Sequence, residues 1–160
     1  GRILTFELSE LKLMANGGRG LMLIDLDKFK PINDTHGHET GDWVLQTVAR
    51  RIEGALRASD TAARVGGDEF LAILPDLKTS DDALAVAEKI RLALEQPFVT
   101  PSGGTLLASA SIGIAIFPDH AQSEEALLRL GDRAMYEAKN SGGNAVRMSV
   151  RPSGSGTLVS

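Results

Sequence analysis

The stretch that most constrains this chain is Gly66-Gly67-Asp68, set between Ala63-Arg64-Val65 and the run Phe70 to Leu74. Paired glycines supply the positive φ of a tight reversal, so the flanks are predicted to form a β-hairpin. A second short apolar run, Leu21-Met22-Leu23-Ile24, follows a glycine and suits a strand covered on both faces. It ends at Asp25-Leu26-Asp27, which puts a carboxylate at the exit of a central strand.

The remaining elements follow from periodicity and punctuation. Residues 3 to 14 read as a leading helix, Asn16 to Gly20 as a Gly-rich break, and residues 28 to 41 as a polar, turn-rich segment. Val44, Leu45, Val48, Ile52 and Leu56 recur at helical spacing, with Thr40 or Asp42 as candidate caps and Arg50, Arg51 and Arg57 toward the far end. Ser80 or Asp81 opens a helix through Ala83, Leu84, Ala87, Ile90 and Leu94. A weaker hairpin turns at Pro101-Ser102-Gly103-Gly104 and leads into a small-residue strand, Leu107 to Phe117. Ser123 caps a helix that stops at Gly142-Gly143, and Ala145 to Val150 makes a last strand. The order predicts an α+β fold, an α/β sandwich with a mixed, mainly antiparallel central sheet flanked by helices.

The 160 residues make one domain's worth of chain, which buries roughly 70% of its unfolded surface without staples. Residues 1–150 are read as that domain, cut from a longer protein, and the Ser/Gly-rich residues 151–160 as a flexible tail. No run approaches the roughly 18 to 20 apolar residues of a membrane span, so the domain is expected to be cytoplasmic and to make no membrane contact. The parent protein could still be anchored through other regions. A net charge of −4 lacks the basic footprint that holds a nucleic-acid backbone. The absence of cysteine removes disulfides, thiolate metal sites and thiol nucleophiles, which leaves hard cations such as Mg²⁺ as the natural metals.

If the strand ending at Asp25 lies beside the hairpin, its carboxylate converges with those of Asp68 and Glu69. Such groups repel and raise one another's pKa unless a divalent cation lies between them. Mg²⁺ takes one or two protein carboxylates and completes its shell with water and phosphate oxygens, which points to a nucleotide. Successive strand residues face opposite ways, so Asp68 is assigned to the metal and Glu69 to a second metal or a hydrogen bond. An isolated Gly-Gly-Asp is more often a solvated turn than a metal site. A calcium loop through Asp25 and Asp27 fails for want of a glycine at its sixth position. A phosphatase with Asp25 as nucleophile and Asp27 as acid leaves the Gly66 to Phe70 string unexplained.

The string Arg64-Val65-Gly66-Gly67-Asp68-Glu69-Phe70 resembles the GGDEF family of diguanylate cyclases, whose name residues 66 to 70 spell. Further matches follow in order: Asp25-Leu26-Asp27-Lys28-Phe29-Lys30, Ile32-Asn33-Asp34, Gly37-His38, Gly41-Asp42, Ser111-Ile112-Gly113-Ile114-Ala115 and Ala138-Lys139. The resemblance spans about residues 2 to 150 and implies a fold similar to the palm of polymerases and adenylyl cyclases. It also implies condensation of two GTP into cyclic di-GMP and two pyrophosphates.

Carried over by resemblance, Asp25, the Leu26 carbonyl and Asp68 would hold Mg²⁺ or Mn²⁺, with Asp68 and Glu69 catalytic. Asn33 and Asp42 would read guanine, Lys30 and Lys139 would face the triphosphate, and the amides around Phe29 and Lys30 would add donors. Gly66, Gly67 and His38 join the substrate pocket. Arg57-Ala58-Ser59-Asp60 has the form and place of the family's inhibitory product site, in which Arg57 and Asp60 bind cyclic di-GMP. The symmetric product implies a homodimer as the active unit, driven by an upstream sensory or receiver domain. Two departures stand out. The family's usual opening motif, Asp-x-Leu-Thr-x-Leu-x-Asn-Arg, is represented only by Arg2, and Gly143 stands where members often carry Arg. The alternative is an inactive module that binds GTP or cyclic di-GMP as a receptor.

Overall fold

The computed structural model describes residues 3–5, 20–117 and 119–150. Eight strands and four helices occur among them: β1 (Ile3–Thr5), β2 (Gly20–Asp27), α1 (Phe29–His36), α2 (His38–Ala55), β3 (Thr61–Gly66), β4 (Glu69–Leu74), α3 (Ser80–Glu95), β5 (Phe98–Val99), β6 (Thr105–Leu106), β7 (Ser109–Ile116), α4 (Glu124–Asn140) and β8 (Ala145–Met148). Six strands form one sheet in the order β1-β3-β4-β2-β7-β8, while β5 and β6 pair separately. The three inner pairings, β3 with β4, β4 with β2 and β2 with β7, are antiparallel; the two outer ones are parallel. The mixed, mainly antiparallel sheet read from the sequence is present.

The apolar runs are central because both of their faces are covered. Met22, Ile24 and Leu26 of β2 pack with Phe70, Ala72, Ile112 and Ile114 against Val44, Val48 and Ile52 of α2 and Ile90 and Leu94 of α3. The alternate residues, Leu21 and Leu23, pack with Leu71, Ile73 and Ala115 against Leu127 and Met135 of α4. Strand periodicity thus sorts every odd-numbered residue of β2 to the α4 side.

Several local expectations are corrected. Ile3–Thr5 is a strand, not the start of a helix: its backbone pairs with Ala62, Ala63 and Arg64, satisfying the open edge of β3. The expectations for residues 6–19 and for the tail 151–160 lie outside the described residues. The segment 29–41 is helical apart from Gly37, whose φ of +89° breaks α1 from α2, and Lys28 is the turn residue before α1. Pro31 fits because it sits in the first turn of α1, where its missing N–H had no helical partner. Gly37, not Thr40 or Asp42, is the N-terminal boundary of α2. That helix ends at Ala55, which leaves Arg57 beyond it. Arg51 donates instead to the Ala93, Gln96 and Pro97 carbonyls, closing the end of α3. Ser80 opens α3 as read, with Thr79 as the residue before it. Ser123 does cap α4, its hydroxyl accepting from the Ala126 amide at 3.1 Å.

Candidate active site

Strand register assembles the acidic centre. Asp25 and Asp27 close β2 at odd positions, on the side that α4 covers. In the neighbouring ladders Glu69 of β4 and Ser111 of β7 stand opposite Asp25, and Ser109 stands opposite Asp27. The β3–β4 turn folds back onto the same strand end, where the Leu26 amide donates to the Asp68 carbonyl at 3.3 Å. Arg64 pins that turn through an Nε bond to the Gly67 carbonyl at 2.8 Å. The two acidic stretches named from sequence therefore meet.

Lys139, in the last turn of α4, reaches this strand end. Its Nζ lies 3.2 Å from the Leu26 carbonyl oxygen, 3.3 Å from Asp27 Oδ1 and 3.5 Å from Asp25 Oδ2. Burial, reinforced by the charge of Asp68, raises the Asp25 carboxyl to about 6 against the pull of Lys139. Glu69 is also pushed up, by burial first and then by Asp25, Asp132 and Asp68. Burial pushes Asp27 upward too, but hydrogen bonds from Ser109, Ser111 and Asn144 together with Lys139 outweigh it and hold that carboxyl below its ordinary value.

The donor set fits a hard divalent cation. Asp25 Oδ1 is buried with no hydrogen-bond partner, while the Leu26 carbonyl already accepts from an ammonium. A cation ligated by these oxygens would offset the burial and the Asp68 charge that together raise the Asp25 carboxyl. Among the described residues no group of three or more His, Cys, Asp or Glu side chains forms a ready-made cage. Few carboxylates plus water and phosphate is the habit of Mg²⁺ rather than of zinc.

The other candidates surround this centre in separate groups. Lys28 takes φ +59° between β2 and α1, turning the chain so that α1 begins at Phe29 directly after the acidic strand end. The free amides of a first helical turn, here those of Phe29 and Lys30, suit an anion. The Lys30 side chain points to solvent and pairs with Asp34 at 3.2 Å, so the structure does not bring it to Lys139. Asn33 lies over Gly41, where an added Cβ would collide with Asn33 Oδ1. Its Nδ2 is 3.0 Å from His38 Nδ1. Asp42 is exposed at the start of α2, beside a groove of about 510 Å³ that Trp43, Gln46 and the β5–β6 tip also line. Gly66 ends β3, and of the paired glycines only Gly67 takes a positive φ, +37°, in the turn.

Arg57 and Asp60 form a unit between α2 and β3. Asp60 is buried, and its carboxylate accepts from the Arg57 amide at 2.8 Å, Nε at 3.1 Å and one Nη at 3.0 Å. The partly exposed guanidinium also donates to the Asp76 carbonyl at 3.3 Å. Asp60 fixes the direction in which Arg57 faces solvent.

The family model described as diguanylate cyclase, GGDEF domain, matches residues 3–145. The chain belongs to the GGDEF family. This GGDEF domain is 47% identical over 119 residues to diguanylate cyclase TpbB of Pseudomonas aeruginosa, covering 74% of this chain and 27% of the relative. It thus spans about a quarter of that protein's length. It superposes with a TM-score of 0.82 on the crystal structure of the TpbB GGDEF domain, at 41% identity and covering 91% of this chain and 92% of that one. The GGDEF domain of Caulobacter crescentus DgcB with its coiled coil, solved in complex with cyclic di-GMP, matches with a TM-score of 0.75 at 30% identity, covering 88% of this chain and 74% of that one.

Sequence reasoning did not assign Asp27, Ser109, Ser111 or Asn144 to the GGDEF domain's acidic centre. The hydroxyls of Ser109 and Ser111 donate to Asp27 at 2.6 and 2.7 Å, and the Asn144 amide donates at 2.8 Å. Two serines at alternate positions of an otherwise small, apolar strand were the available signal. Among the described residues no helix is long and apolar enough to cross a membrane.

Proposed function

We propose that this GGDEF domain, residues 1–150 of a longer chain, condenses two GTP into cyclic di-GMP with release of two pyrophosphates. The observation that carries the reading is the meeting of Asp25, Asp68 and Glu69 at one strand end, with an orphaned carboxylate oxygen and a lysine among them. Asp25, the Leu26 carbonyl and Asp68 would hold Mg²⁺ or Mn²⁺, which when bound neutralises charge on the attacked phosphate and the leaving pyrophosphate.

The chain's residues do the rest by positioning. The amides of Phe29 and Lys30 and the Lys139 ammonium receive the triphosphate, with Gly66 and Gly67 leaving room for it beside the turn. Asn33, held by His38 and Gly41, and Asp42 read the guanine edge; Asp42 accepts from donors that adenine lacks. The 3′-oxygen of one GTP forms a bond to the α-phosphorus of the other while the bond to the β-phosphate bridge breaks. Glu69, with its raised carboxyl, takes the 3′-hydroxyl proton. One guanine site per domain and a two-fold symmetric product require an antiparallel homodimer, paired by an upstream sensory or receiver domain in the cytoplasm. The Arg57–Asp60 unit binds cyclic di-GMP as the inhibitory product site.

The test is incubation of the chain, dimerised through a fused coiled coil, with GTP and Mg²⁺ or Mn²⁺, and detection of cyclic di-GMP and pyrophosphate. Nucleotide binding without product would move the reading to a receptor, which Gly143 in place of the usual Arg favours.

A further inference from the structure

The three oxygens around the Lys139 ammonium differ in kind. The Leu26 carbonyl oxygen, 3.2 Å away, is a donor assigned above to the divalent cation, and Asp25 Oδ2, 3.5 Å away, belongs to the carboxylate whose unpartnered Oδ1 is the other. The third, Asp27 Oδ1 at 3.3 Å, belongs to a carboxylate built into the fold. Ser109, Ser111 and the Asn144 amide hold it from two directions. Gly143 sits against it at φ +75°, and a Cβ there would lie 2.9 Å from Asp27 Cγ. Asn144 is fixed in turn, its Oδ1 accepting from Arg91 at 2.8 Å and its Nδ2 donating to Glu95 at 2.6 Å. Asp27 is therefore immobile, whereas Lys139 is partly exposed on a flexible four-carbon stem.

An ammonium is a compact point charge, and it cannot rest on the Leu26 oxygen and against the Asp25 carboxylate while a divalent cation is bound to both, because like charges at that distance repel strongly. We propose that Asp27 is a positioning residue that tethers Lys139 over the Asp25–Leu26 donors, so that lysine and metal compete for those oxygens and metal entry turns the ammonium outward about Asp27 toward the triphosphate. The inference rests on the metal reading above. It couples the two ligands: the lysine becomes free for phosphate once the metal has taken its oxygens, so metal and nucleotide each tighten the other's binding.

The experiment follows the ammonium directly, by ¹H–¹⁵N correlation of lysine Nζ groups in the whole chain without nucleotide. Lys139→Met identifies the signal by its loss. In the wild type the Lys139 signal is expected to be visible and to shift or vanish on titration with Mg²⁺, and Asp27→Asn should broaden it before any Mg²⁺ is added. Ser111→Ala, which removes one donor to Asp27 and spares its charge, should broaden it less. Nucleotide-free Lys139→Met should bind Mn²⁺, read by electron paramagnetic resonance, at least about fivefold more tightly than wild type.

A Lys139 signal unmoved while the Leu26 amide saturates with Mg²⁺ overturns the competition. A signal unchanged in both Asp27→Asn and Ser111→Ala overturns the tether. Equal Mn²⁺ affinity in wild type and Lys139→Met removes the competition alone, whereas no Mn²⁺ binding by either protein removes the metal reading beneath it.

Discussion

Glu69 stands directly opposite Asp25 in the β2–β4 ladder, one residue after the turn whose Asp68 carbonyl accepts from Leu26. Both carboxyls are half-buried and titrate above their ordinary range, each raised first by burial and then by a neighbouring charge, Asp68 for Asp25 and Asp25 for Glu69. The fold tolerates this because the apolar positions on either side of the sheet supply its stability. The repulsion is held at the strand end, where the proposed cation would relieve it.

Asp25 carries a pH signature. Its folded carboxyl titrates at about 6 against 3.8 in a model peptide, so the folded state binds the proton more tightly. Stability then falls as pH rises from about 4 to about 6 and stays lower above that. Chemical denaturation should find Asp25→Asn more stable than wild type at pH 7.5, by on the order of 2 kcal/mol, and indistinguishable at pH 4. Saturating Mg²⁺ should stabilise the wild type at pH 7.5 and much less at pH 5.

Asp68→Asn removes the turn carboxylate while leaving the backbone bond to Leu26 intact. Turnover to cyclic di-GMP should fall at least about a hundredfold, the scale of one lost transition-state charge contact. Near-wild-type turnover with an unchanged unfolding midpoint would reject the assignment.

Gly41→Ala tests the proposed guanine contact of Asn33 from behind. Its new methyl must displace Asn33, because the Asn33 amide oxygen occupies the space a Cβ needs. KM for GTP should rise by about tenfold with a smaller change in kcat, and stability should drop by about 1 to 3 kcal/mol from overpacking. An unchanged KM would remove Asn33 from guanine recognition.

The inner sheet was legible because Leu21 to Ile24 and Phe70 to Leu74 have no exposed face to alternate against, and because Gly66-Gly67 allows one kind of reversal. Ile3–Thr5 was not legible, since an edge strand is made by the partner's open backbone and not by its own periodicity. The helices at 29–36 and 38–55 were partly hidden by Pro31, Asn33, Asp34 and Gly37, residues that mark turns in isolation and helix ends in context. At the site, chain order named Asp25 and Asp68, but register alone shows that Glu69, rather than Asp68, shares a ladder position with Asp25. The serine cradle of Asp27 depends on a β2–β7 pairing between residues more than eighty apart.

Asp60→Ala should act on inhibition through Arg57. Loss of the buried carboxylate releases the Arg57 amide and two guanidinium donors, so the guanidinium loses the partner that aligns it and keeps the Asp76 carbonyl. The cyclic di-GMP concentration that halves the rate should rise at least about tenfold. Unchanged inhibition would refute the role of this unit.

The most direct measurement is a crystal structure with Mn²⁺ and a non-hydrolysable GTP analogue, read by anomalous scattering. The expected result is a Mn²⁺ peak about 2 Å from both an Asp25 carboxylate oxygen and the Leu26 carbonyl, within reach of Asp68 and of triphosphate oxygens. Nucleotide bound with Mn²⁺ on its phosphates alone, and neither Asp25 nor Leu26 ligating it, would contradict the account.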